Sequence, residues 1–169
     1  ALINSLNGGP DSTALADWLA DELPNMYGNL AGQSNSDVAD YYRSLFKRNA
    51  KTALGGGPPK LDAQVMALAL STYVTSEQRA GSAAVAYGFL VSTHGVGIAT
   101  FDVGEERREA FGLEAGESTT VLVIDILRAT DEFSLDGRLY DTDGDGDEDD
   151  RWETRLRTLA NEVYSEINE

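Results

Sequence analysis

Cysteine is absent from this chain of 169 residues, and histidine occurs only once, as His94. The absence of cysteine excludes disulfides, thiolate metal ligands and a cysteine nucleophile. A Ser-His-Asp triad would have to use His94, but this residue lies in a glycine-flanked segment, and the sequence contains no G-x-S-x-G motif. We therefore interpret His94 as a turn residue and expect that the protein is not an enzyme, with a hydrolase as the disfavoured alternative.

Long apolar runs are also missing, since no segment approaches the roughly 18 residues needed to cross a bilayer. Basic residues are few: 13 lysines and arginines stand against 29 acidic residues, giving a net charge of −16. Such an acidic surface repels nucleic-acid phosphates and anionic lipids. We therefore expect no nucleic-acid partner and no direct membrane insertion, whereas divalent cations are the natural counter-charge.

Apolar residues at helical spacing predict about five helices. Asp11 or Ser12 is expected to cap the first helix, which ends before Pro24, and Ser36 or Asp37 is expected to begin the second. Glycines and prolines in residues 55–59 predict a connector before a third, largely buried helix over residues 60–74. The apolar stripe of the last helix consists of Trp152, Leu156, Leu159, Ala160, Val163 and Ile167.

Two segments have a different pattern. Residues 89–92 and 98–103 are rich in β-branched and aromatic side chains and flank a glycine-containing segment, 93–97, so we predict a β-hairpin. Residues 117–131 suit either a strand or a helix, and their uninterrupted length favours a helix.

The chain begins at Ala1, and we expect it to be an excised domain or a processed product. The predicted fold is one mainly α domain over residues 1–169, of the α+β kind, with a small β-hairpin.

An acidic loop, residues 141–153, precedes the last helix, and seven of its first ten residues are acidic. Calcium takes six to eight oxygen ligands, and EF-hand loops supply them at alternating positions, with glycine at position six. Asp141, Asp143 and Asp145 fall at positions one, three and five, and Gly146 falls at position six. The remaining predicted ligands are Asp147, Asp149 and Glu153.

The acidic loop departs from the EF-hand pattern at position twelve, where Trp152 replaces the bidentate acid. We propose an insertion of one residue, so that Glu153 reaches back from the first helical turn, with Asp150 as the alternative last ligand. Acidic residues also favour helix N-termini without a metal. However, crowding so many carboxylates without neutralisation is costly, which favours calcium, and magnesium prefers fewer carboxylates.

The acidic loop resembles dockerin and EF-hand calcium motifs. Together with the segments LINSLNGGP and LFKRNAKTALGGGPPKLDAQVMALALSTYVT, it is similar to a domain of large surface or secreted proteins of bacteria such as planctomycetes. This resemblance implies an extracellular or cell-surface setting, a structural or adhesive context, and other surface or secreted proteins as partners. Calcium is the cofactor that the residues of the acidic loop predict. We therefore expect a calcium-binding structural or adhesive module. The alternative is a dockerin-like module that recognises a protein in a calcium-dependent manner.

Overall fold

The computed structural model describes residues 1–52, 61–146 and 150–169. The connector predicted at residues 55–59 lies outside these ranges. The described helices are α1 (Ala14–Glu22), α2 (Pro24–Tyr27), α3 (Asn35–Thr52), α4 (Leu61–Val74), α5 (Glu77–Ala80), α6 (Val123–Glu132) and α7 (Arg151–Asn168). The two described strands are β1 (Thr100–Asp102) and β2 (Thr120–Leu122). The mainly helical fold with a small antiparallel sheet is thus confirmed.

Helix α4 is the centre of the molecule. Ten of its 14 residues are buried, because apolar side chains cover its whole circumference. It contacts α3, α6 and α7, so its apolar side chains pack against neighbouring helices on different sides. The prediction of a largely buried third helix is therefore confirmed.

The predicted β-hairpin is wrong. Strand β1 lies within residues 98–103, but it pairs antiparallel with β2, with Thr100 opposite Leu122. Residues 89–92 form only an isolated parallel bridge between Ser92 and Ser76. Residues 93–97, between the two predicted strands, dock on the C-terminal end of α4, where the Val96 N–H donates to Thr75 Oγ1 at 2.9 Å. Ser92, in the first predicted strand, also bonds to the backbone after α4: its N–H donates to the Thr75 carbonyl at 3.0 Å, and its carbonyl accepts from the Glu77 N–H at 2.9 Å. These bonds replace those of a hairpin ladder at this residue.

The helix predicted for residues 117–131 is only partly right. Residues 120–122 form β2, and α6 begins at Val123 and extends to Glu132. The residue that precedes α6, Leu122, has extended backbone angles and gives no side-chain cap. The strand propensity of this segment is therefore realised at its N-terminal part, and the predicted helix forms only in its C-terminal part.

The predicted last helix is present as α7, but the prediction of its apolar stripe is wrong at the start. Leu156, Ala160 and Val163 are buried as expected, but Trp152 is 47% exposed. The buried face of α7 begins instead at Glu153, which is 1% exposed, and it includes Tyr164. An acidic side chain therefore occupies the first position of the apolar stripe.

Within the described ranges, no helix has both the length and the apolar character that a membrane span requires.

Candidate metal centre

The acidic loop is attached to the core through the residue that precedes it. Tyr140 is completely buried and has a left-handed backbone conformation, with φ +58°. Its hydroxyl donates to the Ala110 carbonyl at 2.8 Å and lies 3.2 Å from the Thr130 hydroxyl. Burial raises the pKa of the Tyr140 phenol, which therefore remains a neutral donor. A bulky residue tolerates positive φ only where its surroundings hold it, so these contacts fix the direction in which the chain reaches Asp141.

Asp141 organises the first half of the acidic loop. Its side chain is 4% exposed, and its two oxygens accept from the N–H groups of Gly144, at 2.9 Å, and Gly146, at 3.2 Å. Gly146 has φ +85°, a conformation that glycine adopts at little cost. Asp143 accepts from the Asp145 N–H at 3.0 Å. The chain thus curls around the Asp141 carboxylate, with the sharp turn at the glycine that the sequence predicts.

The first turn of α7 closes the acidic loop from the other side. Asp150 caps the helix, since its carboxylate accepts from the Glu153 N–H at 2.8 Å. The Glu153 carboxylate reaches back to the loop and accepts from the Thr142 N–H at 2.6 Å and the Thr142 hydroxyl at 3.1 Å. Farther along α7, Arg157 donates to the Leu139 carbonyl at 2.7 Å. Both ends of the loop are therefore held by the same helix.

These contacts bring two overlapping groups of carboxylates together. One oxygen from each of Asp141, Asp143 and Asp145 lies within 4.8 Å of the others, and the same is true of Asp143, Asp150 and Glu153. Two oxygens bound to one calcium ion, each at roughly 2.3–2.6 Å, are at most about 5 Å apart. Each group therefore has spacing that suits shared coordination of a calcium ion, and Asp143 belongs to both.

The structure places four of the six predicted ligands in these groups: Asp141, Asp143, Asp145 and Glu153. The other two, Asp147 and Asp149, lie outside the described residues. Asp150, which the sequence offers only as an alternative to Glu153, joins Glu153 rather than replacing it. Asp150 both caps α7 and lies near Glu153, because an N-cap carboxylate faces the first turn of its helix, where Glu153 lies.

The electrostatics of the site favour a cation. The described hydrogen bonds to Asp141, Asp143, Asp150 and Glu153 come from backbone N–H groups and from the Thr142 hydroxyl, which are neutral donors. These donors orient the carboxylates without neutralising their charge. Carboxylates held this close repel each other unless a positive charge lies between them. The candidate metal ligands are all carboxylate oxygens, which are the hard oxygen ligands that calcium requires.

His94 lies far along the chain from these carboxylates. Its Nδ1 atom is 3.2 Å from the side-chain oxygen of Gln78, and the residue is exposed. It follows Thr93, whose carbonyl accepts from the Gln78 N–H at 3.3 Å, so it belongs to the segment that docks beside α5. His94 therefore lies in a bend of the docked segment and not in the turn of a hairpin.

The indications of function therefore come from the carboxylates of the acidic loop and the α7 start. Comparison of the chain with protein-family models, with curated proteins and with solved structures gave no match.

Proposed function

We propose that the acidic loop binds one calcium ion, and that this ion fastens the loop to α7 in a structural or adhesive module of an extracellular or cell-surface protein. The observation that supports this proposal best is the pair of carboxylate groups that share Asp143. One group comes from the first half of the acidic loop, and the other includes Asp150 and Glu153 at the start of α7. An ion among them would bridge the two segments.

The expected consequence is stabilisation of the helix against the core. Helix α7 packs on the central helix α4, so anything that holds its first turn in place also favours this packing. A ligand that binds only the folded state stabilises by about 2.7 kcal/mol at one hundred times its Kd. That is a substantial part of the roughly 5–15 kcal/mol by which a domain is stable.

Calcium fits better than magnesium because of the number and variety of oxygen ligands. Magnesium demands octahedral geometry, retains several waters and is usually held by one or two carboxylates. The two groups together hold five carboxylates, with side chains from a loop and a helix. Asp143, Asp145 and Asp150 are exposed, so the proposed site is open to solvent, and an extracellular setting would supply abundant calcium to fill it.

Thermal unfolding in calcium and in chelator tests the proposal. We expect calcium in hundredfold excess over Kd to raise the melting temperature by about 5–10 °C relative to EDTA, and magnesium to raise it much less. The matched variant is Asp141→Asn with Asp143→Asn, which removes two charges and keeps the side-chain shapes. Equal melting temperatures in calcium and in EDTA would rule out a stabilising calcium site.

A second candidate function is dockerin-like recognition of a protein, and the position of Trp152 favours it. This residue is 47% exposed in the first turn of α7, directly before Glu153 in the chain. Aromatic side chains with this exposure are typical anchors of protein interfaces. Trp152→Ala would then abolish a calcium-dependent interaction with a secreted partner while calcium affinity stays unchanged. A purely structural module would show no such interaction.

A further inference from the structure

Arg157 is a mostly buried cation in the second turn of α7, four residues after Glu153. Its side chain is only 13% exposed. A guanidinium in such a position loses much of its hydration, which is costly unless hydrogen bonds and an opposite charge replace the water. The described partners of Arg157 therefore indicate which segments of the chain this side chain holds together.

Two described partners of Arg157 come from other parts of the chain. Its Nη1 atom donates to the Leu139 carbonyl at 2.7 Å, and Leu139 is 4% exposed. Its Nη2 atom lies 3.7 Å from a carboxylate oxygen of Asp62, whose side chain is 15% exposed. Asp62 lies in the first turn of α4, where the helix dipole favours a negative charge. One planar guanidinium thus joins α7, the start of α4 and the segment that leads into the acidic loop.

The bond to Leu139 acts where the chain turns toward Asp141. We name Leu139 and Tyr140 the loop entrance. The carbonyl carbon of Leu139 is one of the four atoms that define the φ angle of Tyr140, which is +58°. This angle is strained for tyrosine, so a bond that fixes the Leu139 peptide group helps to maintain it. Burial raises the pKa of Tyr140, and the nearby charge of Arg157 opposes part of this rise.

We propose that Arg157 couples the calcium site to the packing of α7 on α4, because it holds the loop entrance in the conformation that binds the ion. The inference rests on the proposed function and adds a positioning residue to that site. Arg157 is not a ligand itself, since a guanidinium has no acceptor atom to offer a metal. The coupling is reciprocal: packing of α7 on α4 favours calcium binding, and bound calcium favours the packing.

The charge of Arg157 and its contacts have opposite effects on calcium. A cation near the acidic loop repels calcium, so loss of the charge alone would tighten binding. Loss of the bond to the loop entrance would weaken binding. The charge is partly offset by Asp62, whereas the bond holds a buried carbonyl two residues before Asp141. We therefore expect the positioning effect to exceed the effect of charge.

Isothermal titration calorimetry of the folded chain with calcium tests the proposal. Arg157→Met removes the charge and both contacts, and we expect calcium affinity to fall about tenfold, the lower end of the range for residues that support metal ligands. Arg157→Lys keeps the charge but lacks the planar fork, so it should recover only part of the loss. The matched control is Arg155→Met, which removes the same charge from an exposed position of α7 and should not weaken binding.

Asp62→Asn tests the link to α4. Because Asp62 is proposed to act through Arg157, its substitution should weaken calcium binding clearly in the native background and much less in Arg157→Met. The stability of each variant in EDTA, measured by urea unfolding, separates positioning from simple packing. An ion pair with only a structural role would lower this stability and leave the calcium affinity of the folded chain unchanged.

The outcomes distinguish this inference from the proposed function. If the native chain binds no calcium, both fail. If the native chain binds calcium and Arg157→Met binds it equally or more tightly, only the coupling fails. Equal effects of Asp62→Asn in the two backgrounds would also overturn the coupling. If circular dichroism shows that Arg157→Met does not fold, the milder Arg157→Lys decides, and native calcium affinity in that variant would overturn the proposal.

Discussion

Glu153 lies on the buried face of α7, at a position of the apolar stripe where a hydrophobic residue is expected. It is 1% exposed, and the stripe continues from it through Leu156 and Ala160. A charged side chain at a buried position loses hydration, which is costly unless partners replace the water. Thr142 provides two hydrogen bonds to one carboxylate oxygen, and the proposed ion would supply the positive charge. We propose that metal binding, rather than packing alone, accounts for an acidic residue at this position.

Glu153→Gln tests this residue alone. The amide keeps the shape of the side chain and one acceptor oxygen for Thr142, but it removes the negative charge. We expect calcium affinity to fall in isothermal titration calorimetry by at least the roughly 10- to 100-fold that follows loss of a residue supporting a metal ligand, because Glu153 is proposed as a ligand itself. Glu162→Gln, at an exposed position of the same helix, is the control and should bind calcium as the native chain does. Unchanged affinity in Glu153→Gln would remove this residue from the site.

Asp17 has a structural role that depends on pH. Its carboxylate accepts from the Gly32 N–H at 2.7 Å and from the Thr13 hydroxyl at 2.8 Å, and these bonds lower its pKa from the ordinary value of 3.8. A carboxylate with a lowered pKa stabilises the fold above its unfolded-state pKa, and this contribution is lost as the pH falls through the folded-state value. The link between α1 and the Gly32 turn should therefore weaken in acid.

Asp17→Asn should be less stable than the native chain at pH 7, and the difference should shrink as the pH falls below about 3.8. Urea unfolding at several pH values in EDTA measures this difference without a contribution from calcium. Asp21→Asn, exposed on the same helix, provides the comparison. A difference that stays constant down to the lowest pH would show that the charge of Asp17 contributes nothing.

At the scale of single residues, the acidic loop was predictable because ligand type and spacing are local properties. Asp141, Asp143, Asp145 and Gly146 are placed by the loop motif itself, without information from the rest of the chain. The participation of Asp150 was less accessible, because it depends on where α7 starts. Helix starts depend on tertiary contacts, and sequence patterns locate them only to within a few residues.

Among the elements, the failed hairpin shows what local pattern omits. Residues 89–103 have the composition of two strands with a turn, and a strand does form at Thr100–Asp102. Its partner, however, is β2, nearly twenty residues downstream. Strand propensity indicates that a segment can pair, but the choice of partner depends on which segment the fold brings alongside. Docking of residues 92–96 on the end of α4 prevents the local pairing.

Gly95 makes that docking possible. It has φ +71°, and a Cβ atom added to it would lie 2.7 Å from both the Ser76 nitrogen and Thr75 Oγ1. Gly95→Ala must therefore displace the end of α4 or the docked segment. We expect a loss of about 2–4 kcal/mol in urea unfolding, from the clash and the backbone strain together.

The matched control for Gly95 is Gly116→Ala. Gly116 has a similar positive φ of +91°, but no atom lies within 4 Å of the added Cβ. Only the backbone strain applies there, so we expect a loss of about 1 kcal/mol. Equal losses in the two variants would mean that residues 92–96 yield without cost, and the explanation of the failed hairpin would then be wrong.

For the whole molecule, helical periodicity was sufficient to predict the fold class but not the arrangement of charge in space. The uniform apolar coverage of α4 predicted a central helix because no other environment buries every side of a helix. By contrast, the sequence shows that 21 of the 29 acidic residues lie in the last 68, but it does not show which of them meet. The fold brings carboxylate oxygens of Asp143, Asp150 and Glu153 within 4.8 Å of one another.

The same charge arrangement predicts how salt acts on stability. In the calcium-free protein, the carboxylates of the acidic loop repel each other, and the crowding of 21 acidic residues into the last 68 adds to this repulsion. Sodium chloride screens it, since the Debye length falls from about 30 Å at 0.01 M to roughly 3 Å at 1 M. We expect salt to raise the melting temperature in EDTA more than in saturating calcium, because a bound ion has already neutralised part of the charge.

Differential scanning calorimetry at low and high sodium chloride, with and without calcium, measures this difference. The variant with Asp143→Asn and Asp145→Asn separates the loop from the rest of the acidic surface, since it lowers the local repulsion without binding an ion. Its salt response in EDTA should be smaller than that of the native chain and should hardly change when calcium is added. If salt instead raises the melting temperature of the native chain equally in calcium and in EDTA, the repulsion that limits stability lies outside the acidic loop.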